Sequence, residues 1–275
     1  MNFLQRFLNI TQAKNSLLCV GLDPDPDRMP AGLKLHADPL FEFCSEIVAS
    51  TQHIAAAFKP NLAFFEAQGA KGWAALEKLL ERIPPDTLTI ADAKRGDIGT
   101  SSEMYAHAIL ERLGFDAVTV NPYLGQDSVA PFLQWPEKGA FVLCLTSNPG
   151  SQDFQLFSDG SQTLYARVLE KVQSWNRQQN CGLVVGATQP EELQTIRQAA
   201  PDLPFLIPGL GVQGGRLEAT VRFGTNDSGQ LALINSSRGI IYKSRGSDFA
   251  EAAAAEAENL RDQINRIRAA KVACQ

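Results

Sequence analysis

A single (β/α)8 TIM barrel with an extra N-terminal helix, spanning residues 1–275, is the fold this sequence predicts. Three observations carry the prediction. Eight short apolar, β-branched runs alternate with longer segments of helical periodicity, the pattern of a parallel sheet with crossover helices. The runs lack polar/apolar alternation, as strands buried on both faces should. Almost every run ends in polar or charged residues, and in a barrel those ends ring one mouth, where barrel active sites sit. An open doubly wound sheet is the alternative assembly of the same units.

The chain opens with MNFLQRFLNITQAKN, which reads as an amphipathic helix. It lacks the continuous apolar segment and small-residue cleavage site of a signal peptide. Strands are expected at 16–23, 54–61, 87–94, 116–123, 140–148, 181–188, 204–211 and 231–238. Helices are expected at 39–52, 74–83, 101–114, 161–180, 189–200, 214–224 and 247–271. The third of these opens on a serine cap and closes on Gly114; the last is capped by Ser247 or Asp248. No linker, low-complexity tract or charge block divides the chain. The longest connection covers residues 148–162, and long loops in compact domains are often functional.

The balance of 25 basic and 30 acidic side chains gives a net charge of −5. That argues against a general nucleic-acid or anionic-membrane binder and permits a local basic pocket. Cysteines 19, 44, 144, 181 and 274 form no CxxC motif, which fits reduced thiols in a cytosol. Histidines 36, 53 and 107 are far apart, so no metal site is supported. No apolar run approaches the roughly 20 residues that span a bilayer. A soluble, cytoplasmic protein is expected.

The segment TLTIADAKRGDIGTSSEMYA, residues 87–106, concentrates charge at the end of an apolar strand. Residues two apart on a strand point the same way, so Asp92 and Lys94 should face the barrel mouth together. Asp97 lies past Gly96, on the loop. Lys59, ending the apolar run of the preceding strand, is costly to desolvate unless paired and is expected beside them. A purely structural ion-pair network is the plain alternative, which the position at the mouth disfavours. Arg95 is expected to form a salt bridge outside the pocket.

Alternating lysines and aspartates hold each other in their charged forms. The lysines are then proton donors, not the low-pKa amines that Schiff-base chemistry prefers. A substrate carboxylate pressed against Asp92 at about 5 Å would be repelled by about 3 kcal/mol at an effective dielectric near 20. Loss of CO2 relieves that repulsion, and Lys94 is placed to stabilise and protonate the resulting carbanion.

PGLGVQGG, residues 208–215, contains a literal G-x-G-x-x-G at Gly209, Gly211 and Gly214. A dinucleotide fingerprint belongs to the first βα unit of its domain, whereas this motif comes seven strands in. A phosphate gripper fits better, because barrels often bind phosphate at the loops after strands seven and eight. Glycine N–H groups, a helix N-terminus and Arg238 supply the donors.

With these pieces assembled, the chain resembles the orotidine 5'-phosphate decarboxylase family, in its longer bacterial subgroup, from about Leu18 to Tyr242. The resemblance is carried by Asp92, Lys94 and Asp97 in Asp-x-Lys-x-x-Asp, followed by Ile98. GLDPDP, FKPNLAFFE, TSNPG, IPGLGVQGG and SSRGIIY join it in family order. It implies a barrel without cofactor or metal that converts orotidine 5'-monophosphate (OMP) to UMP and CO2. It implies that Lys94 protonates C6 of the pyrimidine, that Asp92 sits against the substrate carboxylate, and that Lys59 holds Asp92 and contacts ribose. Asp97 would be donated to the partner's site in a homodimer. Asp23 would bind a ribose hydroxyl and Ser147 the pyrimidine, while Gln213 and Arg238 would bind phosphate with backbone help around Gly211 and Gly215. Ile98, Pro208 and Ser237 belong to the same implied binding set. Where the family usually has a threonine the chain has Ser101, with Thr100 beside it, so either hydroxyl is a candidate for ribose. Ser237 stands where the family often has glycine. Related sugar-phosphate barrels need Mg2+ and an acidic ligand on strand two, where this chain has Lys59 and no acid before Glu66. A non-catalytic nucleotide-binding barrel is the reading from a different class.

Overall fold

The computed structural model describes residues 1–209 and 214–273. Eight parallel strands close into a barrel in chain order: β1 Leu18–Leu22, β2 Ala57–Pro60, β3 Leu88–Arg95, β4 Ala117–Val120, β5 Gly139–Leu145, β6 Cys181–Val185, β7 Phe205–Ile207 and β8 Ala232–Ser236. Closure comes from β8 pairing in parallel with β1, Leu18 opposite Ile234. Each expected strand is present, and most are shorter than the apolar run that announces them. The polar tails of those runs leave the ladder and line the mouth.

α1 (Phe3–Ala13) closes the opposite end. Asn2 and Gln5 form a reciprocal capping box at its start, satisfying two N–H groups that helix geometry leaves unpaired. Its apolar face sends Phe3 and Phe7 into the barrel floor against Cys19, Ala57, Leu88 and Phe141. Phe3 meets Phe141 edge-on with ring centroids 5.9 Å apart. A larger apolar layer lies between the strands and the outer helices, whose faces repeat at helical spacing.

The outer helices follow: α2 Pro39–Thr51, α3 Leu62–Glu66, α4 Gly69–Leu80, α5 Gly99–Ala106, α6 Gln126–Val129, α7 Ser151–Phe154, α8 Leu164–Trp175, α9 Pro190–Ala199, α10 Gly214–Gly224, α11 Arg238–Ile241 and α12 Phe249–Ala273. Three departures from the sequence reading have local causes. The segment after β2 folds as two helices, the second opening on Gly69 at φ +59°. The helix expected over 101–114 begins at Gly99 and widens into a π-helical stretch at His107–Arg112, where the Leu113 N–H reaches back to Ala108. The crossover from β4 to β5, where no helix is expected, holds the short α6 and a 3-10 turn, Ala130–Leu133, interrupted by Pro131.

Cys19, Cys44, Cys144 and Cys181 are free and buried. Burial pushes the thiols of Cys19, Cys144 and Cys181 up to about 12, so they pack as small apolar residues. Among the described residues no helix is long and apolar enough to cross a membrane.

Candidate active site

Lys59 sits on β2, only 3% exposed, and its ammonium donates to Asp92 Oδ2 at 2.5 Å. Lys94 donates to the other carboxylate oxygen, Oδ1, of the same aspartate. Asp92 is thus clamped between two ammonium groups, one buried and one half-exposed. Asn61, at the end of β2, bridges to Asp92 in parallel fashion and carries the β2–β3 pairing up to the mouth.

Burial works against both buried charges, and their neighbours overcome it. Desolvation alone would depress the Lys59 ammonium, but Asp92 and then Asp23 lift it above the ordinary lysine value. Burial would likewise raise the Asp92 carboxyl, yet Lys59 and Lys94 hold it down at about 2. Asp92 is therefore fully ionised at neutral pH although its side chain is only 12% exposed.

The expectation that Asp92 and Lys94 face the same way is met by an irregular route. Ala91 lies opposite Val118 and Arg95 opposite Val120, so Asp92, Ala93 and Lys94 all oppose the single residue Thr119. Lys94 adopts φ +47°, the left-handed region that side chains other than glycine enter at a cost of order 1 kcal/mol. The strand does not carry the two side chains by simple alternation; it is kinked between them. Arg95 turns outward instead, pairing with Glu66 at the end of α3 and lying over the Tyr105 ring.

Asp97 is half-buried, and its carboxylate accepts the next backbone N–H, that of Ile98, at 2.8 Å. Among the described residues it forms no ion pair with Lys94 or any other cation. Ile98 is 57% exposed, and Thr100 and Ser101 are exposed on the first turn of α5. Nearby elements expose Met104, Tyr105, Tyr123 and Leu124.

Around the rest of the mouth, Asp23 follows β1 with its Oδ1 buried and without a hydrogen-bond donor among the described residues. Its backbone carbonyl accepts from the Tyr242 hydroxyl at 2.9 Å. Asn235 on β8, 7% exposed, also has its Oδ1 buried without a donor. Between them Gly21 is forced by space: a Cβ there would lie 1.8 Å from Ser237 Oγ. Ser147, just past β5, lies against Gly209 at the end of β7, which holds φ +97°. The Pro208 carbonyl accepts from the Ala187 N–H at 3.0 Å. The loop after β5 is fastened by Gln155, which accepts the Thr146 N–H at 2.7 Å and donates to its hydroxyl at 2.9 Å.

Arg238 begins α11, exposed and without an ion pair among the described residues. Gly215 lies in the first turn of α10. The readings for Gly211 and Gln213 fall outside the described residues. Among the described residues no group of three His, Cys, Asp or Glu side chains is placed to hold a metal ion.

The structure thus joins Lys59, Asp92 and Lys94 directly and sets Asp23 within electrostatic reach of Lys59. Two contributors escape a reading of the sequence. Thr119 sits inside the apolar run DAVTVN and Asn235 inside LALINSS, where each passes for an ordinary strand residue. Their only signal is a polar side chain amid buried neighbours.

Comparison with known proteins agrees with this geometry. A model of the orotidine 5'-phosphate decarboxylase / HUMPS family matches residues 16–255. A Dehalococcoides mccartyi protein named orotidine 5'-phosphate decarboxylase is 52% identical over 272 residues, 98% of this chain and 99% of its own. One of the same name from an Azoarcus strain is 48% identical over 98% of this chain and all of its own. Among solved structures, Leishmania donovani OMP decarboxylase superposes with a TM-score of 0.85 at 41% identity, covering 98% of this chain and 99% of its own. A Toxoplasma gondii structure titled a putative orotidine-monophosphate-decarboxylase gives 0.88 at 38% identity, covering 99% of both chains. Barrel, charged mouth and full-length similarity agree: this chain belongs to the orotidine 5'-phosphate decarboxylase / HUMPS family.

Proposed function

We propose that this chain decarboxylates OMP to UMP and CO2 in the cytoplasm, as one barrel domain acting without a cofactor. The observation that carries the proposal is the Lys59–Asp92–Lys94 array, a desolvated carboxylate held ionised between two ammonium groups at the barrel mouth. Such an array suits a substrate that loses negative charge beside the aspartate and gains a proton beside the lysine. The names of relatives that match nearly the full chain support the same substrate.

In this reading the pyrimidine carboxylate lies against Asp92, with Lys94 facing C6. The C6–carboxylate bond breaks, its electron pair stays on C6, and CO2 departs. The Lys94 ammonium stabilises that developing carbanion and transfers its proton to C6, giving UMP; solvent then restores the Lys94 proton. Catalysis comes from charges fixed in place before the substrate arrives, so little reorganisation accompanies the reaction. Lys59 keeps Asp92 ionised and oriented and reaches the ribose. Asp23, whose buried Oδ1 has no donor among the described residues, accepts a ribose hydroxyl. Either Thr100 or Ser101 adds a further ribose contact, Ser147 meets the pyrimidine, and Pro208, Gly211, Gln213, Gly215, Ser237 and Arg238 form the phosphate end.

The protein acts as a homodimer in which Asp97 and Ile98 complete the partner's site. Asp97 forms no ion pair within its own chain among the described residues, and exposed Ile98, Met104, Tyr105, Tyr123 and Leu124 supply apolar surface for an interface. Against a sugar-phosphate lyase of the same family stand Lys59 where such enzymes need an acid, and Glu66 committed to Arg95. The test is ultraviolet-monitored turnover of OMP by the purified protein in EDTA. Loss of OMP with equimolar CO2 is expected. Inactivity on OMP, or activity that needs added Mg2+, would overturn the proposal.

A further inference from the structure

Thr119 is 1% exposed on β4, directly opposite the kink in β3. Its Oγ1 accepts two backbone hydrogen bonds, from Ala93 N at 3.0 Å and Lys94 N at 2.9 Å. A hydroxyl oxygen has two lone pairs and one proton. Both lone pairs are engaged, so the proton must go to an acceptor. Two are in range, Asp92 Oδ1 at 3.3 Å and the Ala91 carbonyl at 3.5 Å. The carboxylate is nearer and charged, and charged acceptors make the stronger bond.

One side-chain oxygen therefore serves both halves of the Asp92–Lys94 pair. Three residues of β3 share one opposite residue of β4, so the Ala93 and Lys94 N–H groups lose their regular ladder partners. Buried N–H groups left unpaired are costly, and the Thr119 hydroxyl takes the place of a backbone carbonyl for both. It thereby holds Lys94 at φ +47°, the conformation that returns its ammonium to Asp92. The same hydroxyl is directed at Asp92 Oδ1, the oxygen that also accepts from Lys94. Valine would fill the volume in a strand just as well, yet would satisfy neither N–H.

We propose that Thr119 is a positioning residue for catalysis: its hydroxyl fixes the kinked Asp92-Ala93-Lys94 backbone and orients the Asp92 carboxylate, so that the Lys94 ammonium is aligned for proton delivery. This rests on the OMP decarboxylase reading. Thr119 does not touch substrate; it acts through Asp92 and Lys94.

The test compares Thr119→Val and Thr119→Ser with the wild type, measuring kcat and KM on OMP, UMP affinity by calorimetry, and thermal unfolding. Thr119→Val is expected to lower kcat by about 10- to 100-fold, the range seen when a group orienting a reactive residue is lost. KM and UMP affinity are expected to stay within about threefold, because the ribose and phosphate contacts are untouched. Thr119→Ser, which restores the hydroxyl and deletes only a methyl group, is expected to recover most of kcat. If Thr119→Val does not fold, Thr119→Cys carries the same test, since its thiol keeps the volume but hydrogen-bonds weakly; it is expected to lose kcat as valine would. A kcat within about twofold of wild type in the valine or cysteine variant, or equal losses in the serine and valine variants, overturns the proposal. An inactive wild type would instead sink the decarboxylase reading, so the two failures are distinguishable.

Discussion

Lys59 and Asp92 form a buried ion pair across adjacent strands, Nζ to Oδ2 at 2.5 Å, with their side chains only 4% and 12% exposed. Two charges taken out of water this far are tolerated only because each satisfies the other, and because Lys94 and Asp23 add to the balance.

Asp92→Asn keeps the shape and removes the charge, leaving Lys59 buried without its main counterion. Breaking a buried pair this way is expected to lower folding stability by about 3 kcal/mol. Urea unfolding of wild type and variant checks this. A difference below about 0.5 kcal/mol, the scale of an exposed pair, would mean that the pair is solvated in solution.

The same pair sets a pH window. The Asp92 carboxyl lies at about 2 against an unperturbed 3.8, so its stabilisation is complete above about pH 4 and lost as pH falls through 2. Lys59 is raised above 10.5, so its contribution is complete below that value and lost as pH rises through the folded pKa. The wild-type advantage over Asp92→Asn should therefore not fall between pH 7 and 5 and should shrink toward pH 2. Urea unfolding across that range checks it; an advantage falling steadily between pH 7 and 5 would contradict the assignment.

Arg238 is exposed and unpaired among the described residues, so its removal should leave the fold intact. Arg238→Ala is expected to raise KM for OMP by about 100-fold, the loss of one charge-assisted phosphate contact, with thermal unfolding unchanged. An unchanged KM would remove Arg238 from the phosphate site.

The proposed shared site makes a prediction that no single-chain site makes. Mixing Asp97→Ala and Lys94→Ala proteins, each inactive alone, should restore about a quarter of wild-type activity at equal amounts, because half the dimers are mixed and each carries one intact site. Activity after subunit exchange, with exchange verified by mass-tagged subunits, is the measurement. No recovery would place Asp97 outside the partner's site.

The barrel was legible because strands buried on both faces read as unbroken apolar runs, such as AFVLCL in β5. The ion-pair cluster was legible because Lys59 ends the apolar run of β2, where an unpaired ammonium is hard to accommodate. The kink at Asp92–Lys94 was not, since a left-handed lysine leaves no trace in residue type and alternation alone gives the same grouping. Thr119 was hidden for a related reason: threonine is a common strand former, and only the register shows that three residues of β3 depend on it.

The central claim is that Lys94, held against Asp92, delivers the proton that completes decarboxylation. The most direct measurement is CO2 release from OMP by Lys94→Ala, alongside wild type and with UMP binding followed by calorimetry. The account predicts an active wild type, a loss of at least about 10⁴-fold in the variant, and UMP binding that remains measurable. Turnover by Lys94→Ala within about tenfold of wild type would contradict it.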